Sequence, residues 1–195
     1  METFMTILGV NHPSTLTSMA NLASTYRNQG RWEEAKALDV QVMETRKTKL
    51  GTNYPDMLTS MNNLALTCQN QGRWEEAEKL FVQVVETRKT KLGANHPDTL
   101  TSMANLASTY RNQGRWEEAE KLFVQVMQTS KTMLGADHPS TLTSMNNLAF
   151  TWKDQGRHTN ALALMEDCAR ARQRVLGQKH PDTLFSLATV AEWSS

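Results

Sequence analysis

The sequence predicts an all-α fold in which antiparallel helix pairs stack into one array. Three observations support this prediction: an internal repeat of 42 residues, apolar residues at helical spacing within each repeat, and glycine and proline signals between the helices. No stretch shows the alternating β-branched pattern that is typical of strands. One helix pair buries too little apolar surface to be stable alone, so neighbouring pairs must pack on each other.

The repeat is defined by glycines and prolines that recur at a constant step. Residues 9–50 and 93–134 differ at eight of 42 positions. The opening "METFMTILGVNHP" aligns with the interior "METRKTKLGTNYP", so the chain starts inside a repeat. We therefore divide the single array over 1–195 into a partial helix B at 1–8, repeats 1 to 4 at 9–50, 51–92, 93–134 and 135–176, and a partial repeat at 177–195.

Each repeat predicts two helices, which we name A and B. In repeat 1, Pro13 suits the first turn of helix A, and apolar residues recur at helical spacing from Leu16 onwards. Gly30 ends helix A in the left-handed conformation that glycine reaches at little cost. Helix B then runs from Trp32 to about Lys49, where a second glycine and proline close the unit.

The bulk composition excludes several classes of protein. The formal net charge is +1, which gives no field suited to nucleic acid or an anionic membrane. No apolar run approaches the roughly 18 residues of a membrane span, and the first residues do not resemble a secretory signal. Two cysteines do not make a disulfide framework. These features predict a cytoplasmic protein.

The stretch "NLASTYRNQGRWEEA" resembles the tetratricopeptide repeat, through Tyr26, the Gln29-Gly30 turn, Trp32 and Ala35. The usual unit has about 34 residues. The longer unit of this chain resembles the repeats of kinesin light chains and the C-terminal arrays of fungal and bacterial receptor-like proteins of NB-ARC or NACHT type. The resemblance implies a right-handed superhelical solenoid that serves as a non-enzymatic protein-binding scaffold, with the A helices along its concave surface.

The sequence departs from this pattern at Asp39, where the later repeats have Phe81, Phe123 and Met165. A carboxylate on an apolar helix face is unfavourable unless it is paired, so we expect local looseness in repeat 1. No GxxxxGK[ST] stretch is present. We therefore expect no bound cofactor, and any nucleotide-binding domain of a receptor would lie outside this chain.

The resemblance implies that the A-helix face turned away from the core binds an extended peptide. An asparagine recurs there once per repeat, and an amide can donate to and accept from a peptide group of any sequence. Alternatively, each asparagine bonds only a neighbouring helix, and both roles can hold together. The predicted peptide-binding residues are Asn21, Arg27, Asn62, Asn63, Leu66, Asn105, Arg111, Asn146, Asn147, Phe150 and Lys153.

The same face predicts the character of the ligand. Repeats 1 and 3 present small residues, whereas repeats 2 and 4 carry Leu66 and Phe150. Arg27, Arg111 and Lys153 add positive charge. We expect a protein or peptide with apolar side chains and some acidic character. The alternative is that these residues are ordinary solvated side chains.

Other residues that could suggest chemistry have simpler interpretations. The histidines before the prolines lie in different repeats, too far apart to share a metal ion, and we expect them to bond at helix starts or between repeats. The Glu33-Glu34 pair and its counterparts suit the helix dipole in the first turn of helix B. Cys68 and Cys168 are predicted to be buried, inert thiols. We predict no enzymatic activity and no metal site. The four histidines that directly precede a proline are His12, His96, His138 and His180.

The two ends of the array carry unusual apolar residues. Phe4, Met5 and Ile7 stand where interior copies are basic, and Phe185 and Trp193 lie at the other end. This pattern predicts possible end-to-end self-association. Two functions therefore compete with a receptor's sensor array: a structural module that stacks end to end, and a cargo adaptor like a kinesin light chain.

Overall fold

The computed structural model describes residues 6–50 and 55–194, and within these ranges the regular structure is entirely α-helical. Residues 6–8 are helical, while the rest of the predicted partial helix, including Phe4 and Met5, lies outside the described residues. The A helices are α1 (Pro13–Asn28), α3 (Pro55–Asn70), α5 (Pro97–Asn112), α7 (Pro139–Asp154) and α9 (Pro181–Ser194). The B helices are α2 (Trp32–Leu50), α4 (Trp74–Leu92), α6 (Trp116–Leu134) and α8 (His158–Leu176).

Each A helix starts and stops where the sequence predicts. Pro13 is the first residue of α1, and the His12 Nδ1 atom accepts a hydrogen bond from the Ser14 backbone N–H at 3.2 Å. The histidine therefore caps the helix. After α1, Gly30 adopts a φ of 74°. This left-handed conformation favours glycine and turns the chain towards helix B.

Helices α2, α4 and α6 carry acids in the first turn and bases in the last, whereas α8 has no acid in its first turn. In α4, Glu75 and Glu76 lie in the first turn and Lys89 and Lys91 in the last. Acids near the N-terminus and bases near the C-terminus both interact favourably with the helix dipole. Gly93 then ends the helix, as predicted.

The core lies where the two helices of a repeat cross and where the next A helix packs. Ala23 and Ala35 have no exposed surface, which allows α1 and α2 to approach closely. In later repeats Phe81 and Phe123 fill the core at the position of Asp39 and are at most 1% exposed. Trp32 is 42% exposed, so it borders the core rather than filling it.

An arginine joins three of the four B helices to the A helix that follows. The Arg88 Nη1 atom donates to the Asp98 carbonyl at 3.0 Å and to the Ser102 hydroxyl at 2.6 Å. Arg46 and Arg172 make the same pair of bonds at their own junctions. At the α6–α7 junction this position is Ser130, so the connection is absent there.

The chain divides into two compact units, unit 1 (Met1–Ser102) and unit 2 (Met103–Ser195). The boundary falls inside α5, so it does not coincide with a repeat boundary. Within the described ranges, no helix combines the length and apolar character needed to cross a bilayer.

Candidate functional site

In unit 1, the predicted ligand-binding residue Arg27 is engaged inside the protein. Its Nη1 atom lies 3.1 Å from the Asp39 carboxylate, the Asn63 carbonyl and the Thr67 hydroxyl. The Arg27 side chain is only 10% exposed. This corrects the prediction that Arg27 adds free positive charge to the A-helix face, because its guanidinium pairs with a buried carboxylate.

Asp39 is the reason for this arrangement. The carboxylate is 2% exposed and also accepts a bond from the Thr67 hydroxyl at 2.6 Å. Burial raises the pKa of the Asp39 carboxyl, while the bonds from Thr67 and Arg27 act in the opposite direction. The expected looseness around Asp39 is therefore wrong: the carboxylate is paired and links α1, α2 and α3.

The other predicted residues of unit 1 differ in how accessible they are. Asn21 on α1 is exposed, and Asn63 and Leu66 on α3 are half-buried. Asn62 is buried, with 9% of its surface exposed. The structure brings α1 and α3 together through the bond from Arg27 to the Asn63 carbonyl. Asn21, Asn63 and Leu66 therefore retain surface for a ligand.

In unit 2, Arg111 has partners different from those of Arg27. Its guanidinium forms an ion pair with Asp154 and lies 5.2 Å from the ring centroid of Phe150. The side chains of Arg111 and Asp154 are 31% and 33% exposed. Arg111 is therefore at the surface as predicted, but Asp154 compensates its charge.

Phe150 is the centre of an aromatic cluster, which we define as Phe150, Phe185 and Trp193. The Phe150 ring lies 5.0 Å from Trp193 in an edge-on arrangement and 6.0 Å from Phe185. The Lys153 ammonium group lies 5.4 Å from the Trp193 ring. Phe185 is 52% exposed. The cluster thus joins α7 to α9 and presents ring surface and one cation to the outside.

The remaining asparagines of unit 2 lie beside this cluster in sequence. Asn105 on α5 and Asn146 and Asn147 on α7 are half-buried. The Asn146 side-chain oxygen lies 3.5 Å from Arg172, at the limit of a hydrogen bond. Each asparagine position is therefore partly accessible, and the ladder remains a prediction.

Phe185 and Trp193 were predicted as end residues rather than as members of a site. The repeat alignment does place Phe185 on the ligand-facing side of its helix. It occupies the same repeat position as the groove-facing threonines Thr59, Thr101 and Thr143. Its contact with Phe150 depends on how α7 and α9 pack, which the repeat alignment does not specify.

The other candidates for chemistry behave as structural residues. All four histidines accept a backbone N–H at 3.2 Å at a helix start, which confirms the predicted role. Burial raises the pKa of the Cys68 thiol to about 11 and also raises that of Cys168. Both thiols are buried and are therefore poor nucleophiles at neutral pH.

Comparison with known proteins extends these observations. The tetratricopeptide repeat family matches residues 15–56, 56–132, 104–151 and 141–182. A Podosopora anserina protein of known structure, described as a kinesin light chain with nearly identical TPR-like repeats, is 33% identical. The match covers 93% of this chain and 86% of that chain, with a TM-score of 0.79.

Two more distant structures share the fold alone. BtubC (BKLC) from P. vanneervenii is 19% identical with a TM-score of 0.76, and covers 96% of this chain and 75% of that one. The apo form of RapI is 11% identical with a TM-score of 0.71, and the match covers 89% of this chain and 61% of the RapI chain. No curated protein gives a significant match. Repeat pattern, helix pairs and comparisons agree, and the chain belongs to the tetratricopeptide repeat family.

Proposed function

We propose that this chain is a protein-binding scaffold and that the A-helix face of unit 2 binds an extended peptide with apolar and acidic side chains. The observation that carries the proposal is the aromatic cluster. Its rings lie on A helices, pack edge-on or tilted, and remain partly exposed instead of entering the core. Proteins of this repeat family typically bind other proteins, which supports the same conclusion.

The chemistry of the cluster supports the proposed ligand. Aromatic side chains bury large apolar areas on binding and are enriched where partners anchor. Lys153 has no carboxylate partner among the described residues, whereas Arg111 is paired with Asp154. An acidic ligand residue next to an apolar one would therefore meet Lys153 while its neighbour contacts Phe185. Asn105, Asn146 and Asn147 would bond the ligand backbone.

The test uses the full chain and synthetic peptides in which leucine and phenylalanine are flanked by aspartate. We expect micromolar affinity, about −8 kcal/mol. Phe150→Ser and Phe185→Thr introduce the residues that other repeats carry at these positions, so both variants should fold. Each should weaken binding by about tenfold, since a buried contact of this size contributes roughly 1–3 kcal/mol. Unchanged affinity in both variants would reject the cluster as the site.

The asparagine ladder needs its own variants. Asn63→Ala in unit 1 and Asn105→Ala in unit 2 each remove one amide, and a neutral hydrogen bond is worth about 0.5–1.5 kcal/mol. If neither variant changes peptide affinity, the asparagines only bond within the array. Isothermal titration of both variants with the same peptide measures the difference.

The biological setting is proposed from the similar structure and from the repeat length. Similarity to a Podosopora anserina protein described as a kinesin light chain favours a cargo-adaptor role. The 42-residue unit also fits the sensor array of an NB-ARC or NACHT receptor. A coiled coil encoded beside the array in the parent gene supports the adaptor, and a nucleotide-binding domain supports the receptor. Either setting places the protein in the cytoplasm.

End-to-end assembly is a second candidate because α9 exposes residues that other repeats bury. Leu184 is 54% exposed, whereas its repeat counterparts Leu142 and Leu100 are 1% and 6% exposed. Leu187 is 38% exposed, and its counterpart Met103 is 0% exposed. Light scattering over a concentration series should show association that Leu184→Gln abolishes. A constant monomer mass at high concentration excludes this function.

A further inference from the structure

A cavity of about 400 Å³ lies between α6, α7 and α8 in unit 2. Its floor is apolar, formed by Met127, Met145, Leu164 and Ala171. Its volume falls in the range typical of small-molecule sites. It shares no residue with the aromatic cluster, so it is a separate candidate site.

Two side chains at the cavity are smaller than their counterparts at the α2–α3–α4 junction, while Thr15 and Thr99 match Thr141 in two other A helices. Thr141 stands where α3 has Met57, and Ala171 stands where α4 has Thr87. In unit 1, Met57 is 2% exposed and packs with Met61 and Val84 in one core cluster. At the α2–α3–α4 junction the Met57 side chain therefore occupies space in the core. At the α6–α7–α8 junction the shorter Thr141 leaves the equivalent space open.

Helix α8 also diverges from the other B helices at the residues that line this cavity. At each of three lining positions, α2, α4 and α6 carry glutamine or threonine, whereas α8 has a charged or smaller residue. The changes are from glutamine to Asp167, from threonine to Ala171 and from threonine to Arg174. A fourth lining position carries glutamate or glutamine in α2, α4 and α6, and it is Arg170 in α8. The replacements shorten two lining side chains, Asp167 and Ala171, and put two guanidinium groups at the rim of the cavity.

The charges at the rim favour an anion. Arg174 forms an ion pair with Asp137 at 2.6 Å, and Arg170 pairs with Asp167 and more distantly with Glu166. Lys131 also lines the cavity and has no carboxylate partner among the described residues. Arg174 uses one N–H bond for Asp137, and a guanidinium has five N–H donors. A carboxylate at the rim would therefore find both an unpaired ammonium and further N–H donors.

We infer that this cavity binds an apolar molecule that bears one carboxylate. The hydrocarbon part lies on the methionines, Leu164 and Ala171, and the carboxylate lies at Lys131 and Arg174. The apolar floor contributes most of the binding free energy, since removing CH₂ groups from water is favourable. The rim selects for the anionic end group.

The test is titration of the full chain with decanoate, followed by calorimetry and by amide NMR shifts. We expect saturable binding of one decanoate per chain, with shifts at Ala136 and Ala171. Ala171→Thr introduces the residue of the other three B helices and should weaken binding by about tenfold, because the added atoms occupy the cavity. Arg174→Thr, also the residue of the other B helices, should weaken it while leaving the fold intact.

Controls separate the two parts of the proposal. Lys131→Gln should weaken decanoate by about three- to fivefold, as expected for an exposed ion pair, and leave decan-1-ol unchanged. Phe185→Thr should not affect decanoate. Absence of saturable binding, equal binding by Ala171→Thr, equal affinity for decan-1-ol, or NMR shifts confined to α9 would each overturn the inference.

Discussion

Arg27 in unit 1 and Arg111 in unit 2 occupy the same position of the repeat, yet their guanidinium groups bind different partners. Arg27 reaches the buried Asp39, whereas Arg111 pairs with Asp154 at the surface and lies over Phe150. The sequences of α1 and α5 are almost identical around these arginines. The difference shows that residues on neighbouring helices decide whether this arginine is structural or available at the surface.

The residue facing the arginine from helix B explains the difference. In unit 2, Phe123 stands where unit 1 has Asp39 and is 1% exposed in the core. It offers no acceptor, so Arg111 turns to Asp154 on α7. Thr151, the counterpart of Thr67, is present and buried. Unit 2 therefore contains every partner of the unit 1 network except the carboxylate.

The strongest way to break this comparison is to alter Phe123. Phe123→Ala should lower the free energy of unfolding by about 3–5 kcal/mol, because it leaves a cavity in a packed core. Phe123→Asp should cost no more than Phe123→Ala, since Arg111 and Thr151 can pair with the new carboxylate. Urea denaturation measures both values. A much larger loss for Phe123→Asp would mean that the partner residues cannot rearrange.

A second contrast concerns the junctions between repeats. Arg88→Ala should destabilise the chain by about 2–3 kcal/mol, because it leaves the buried Ser102 hydroxyl and the Asp98 carbonyl without their charged donor. Ser130→Arg should stabilise the α6–α7 junction by about 1 kcal/mol through the equivalent bonds to Ser140 and Ser144. Thermal unfolding of both variants tests this. A destabilising Ser130→Arg would show that the α6–α7 junction has no space for the side chain.

The reciprocal exchange in unit 1 should have a smaller effect. Asp39→Phe introduces the residue of α4 and α6 and removes a buried charge. Alone it would leave the buried Arg27 guanidinium without its carboxylate, so it is combined with Arg27→Leu. The double variant should be neutral or should stabilise the chain by about 1–2 kcal/mol, as is common when both members of a buried ion pair are replaced by apolar residues. Strong destabilisation would instead show that the ion pair outweighs its desolvation.

The smallest expected effect is a pH dependence from Asp39. Its pKa is raised by burial, so the folded chain holds this proton more readily than the unfolded chain. The contribution to stability is fully present below the ordinary pKa of about 3.9 and is lost as the pH rises through the raised value. Wild type should therefore gain stability relative to Asp39→Asn as the pH falls from neutrality. A parallel pH profile for the two proteins would contradict the raised pKa.

The sequence by itself determined the elements of this protein. The 42-residue period, the prolines at the start of each A helix and Gly30 placed the helices within a residue or two of their observed bounds. These features are local: a fixed proline φ and a glycine at positive φ act on the backbone wherever they occur. The family followed from the same residues.

Only the tertiary structure decided which side chains are free to bind a ligand. The roles of Arg27 and Arg111, the contact of Phe150 with Phe185 and Trp193, and the cavity beside Ala171 depend on side chains that lie on other helices. Periodicity assigns a residue to a face, but pairing and packing are set by the neighbour across the interface. Phe123 for Asp39 on helix B, together with Asp154 for Asn70 on the next A helix, gives an otherwise unchanged arginine a different partner.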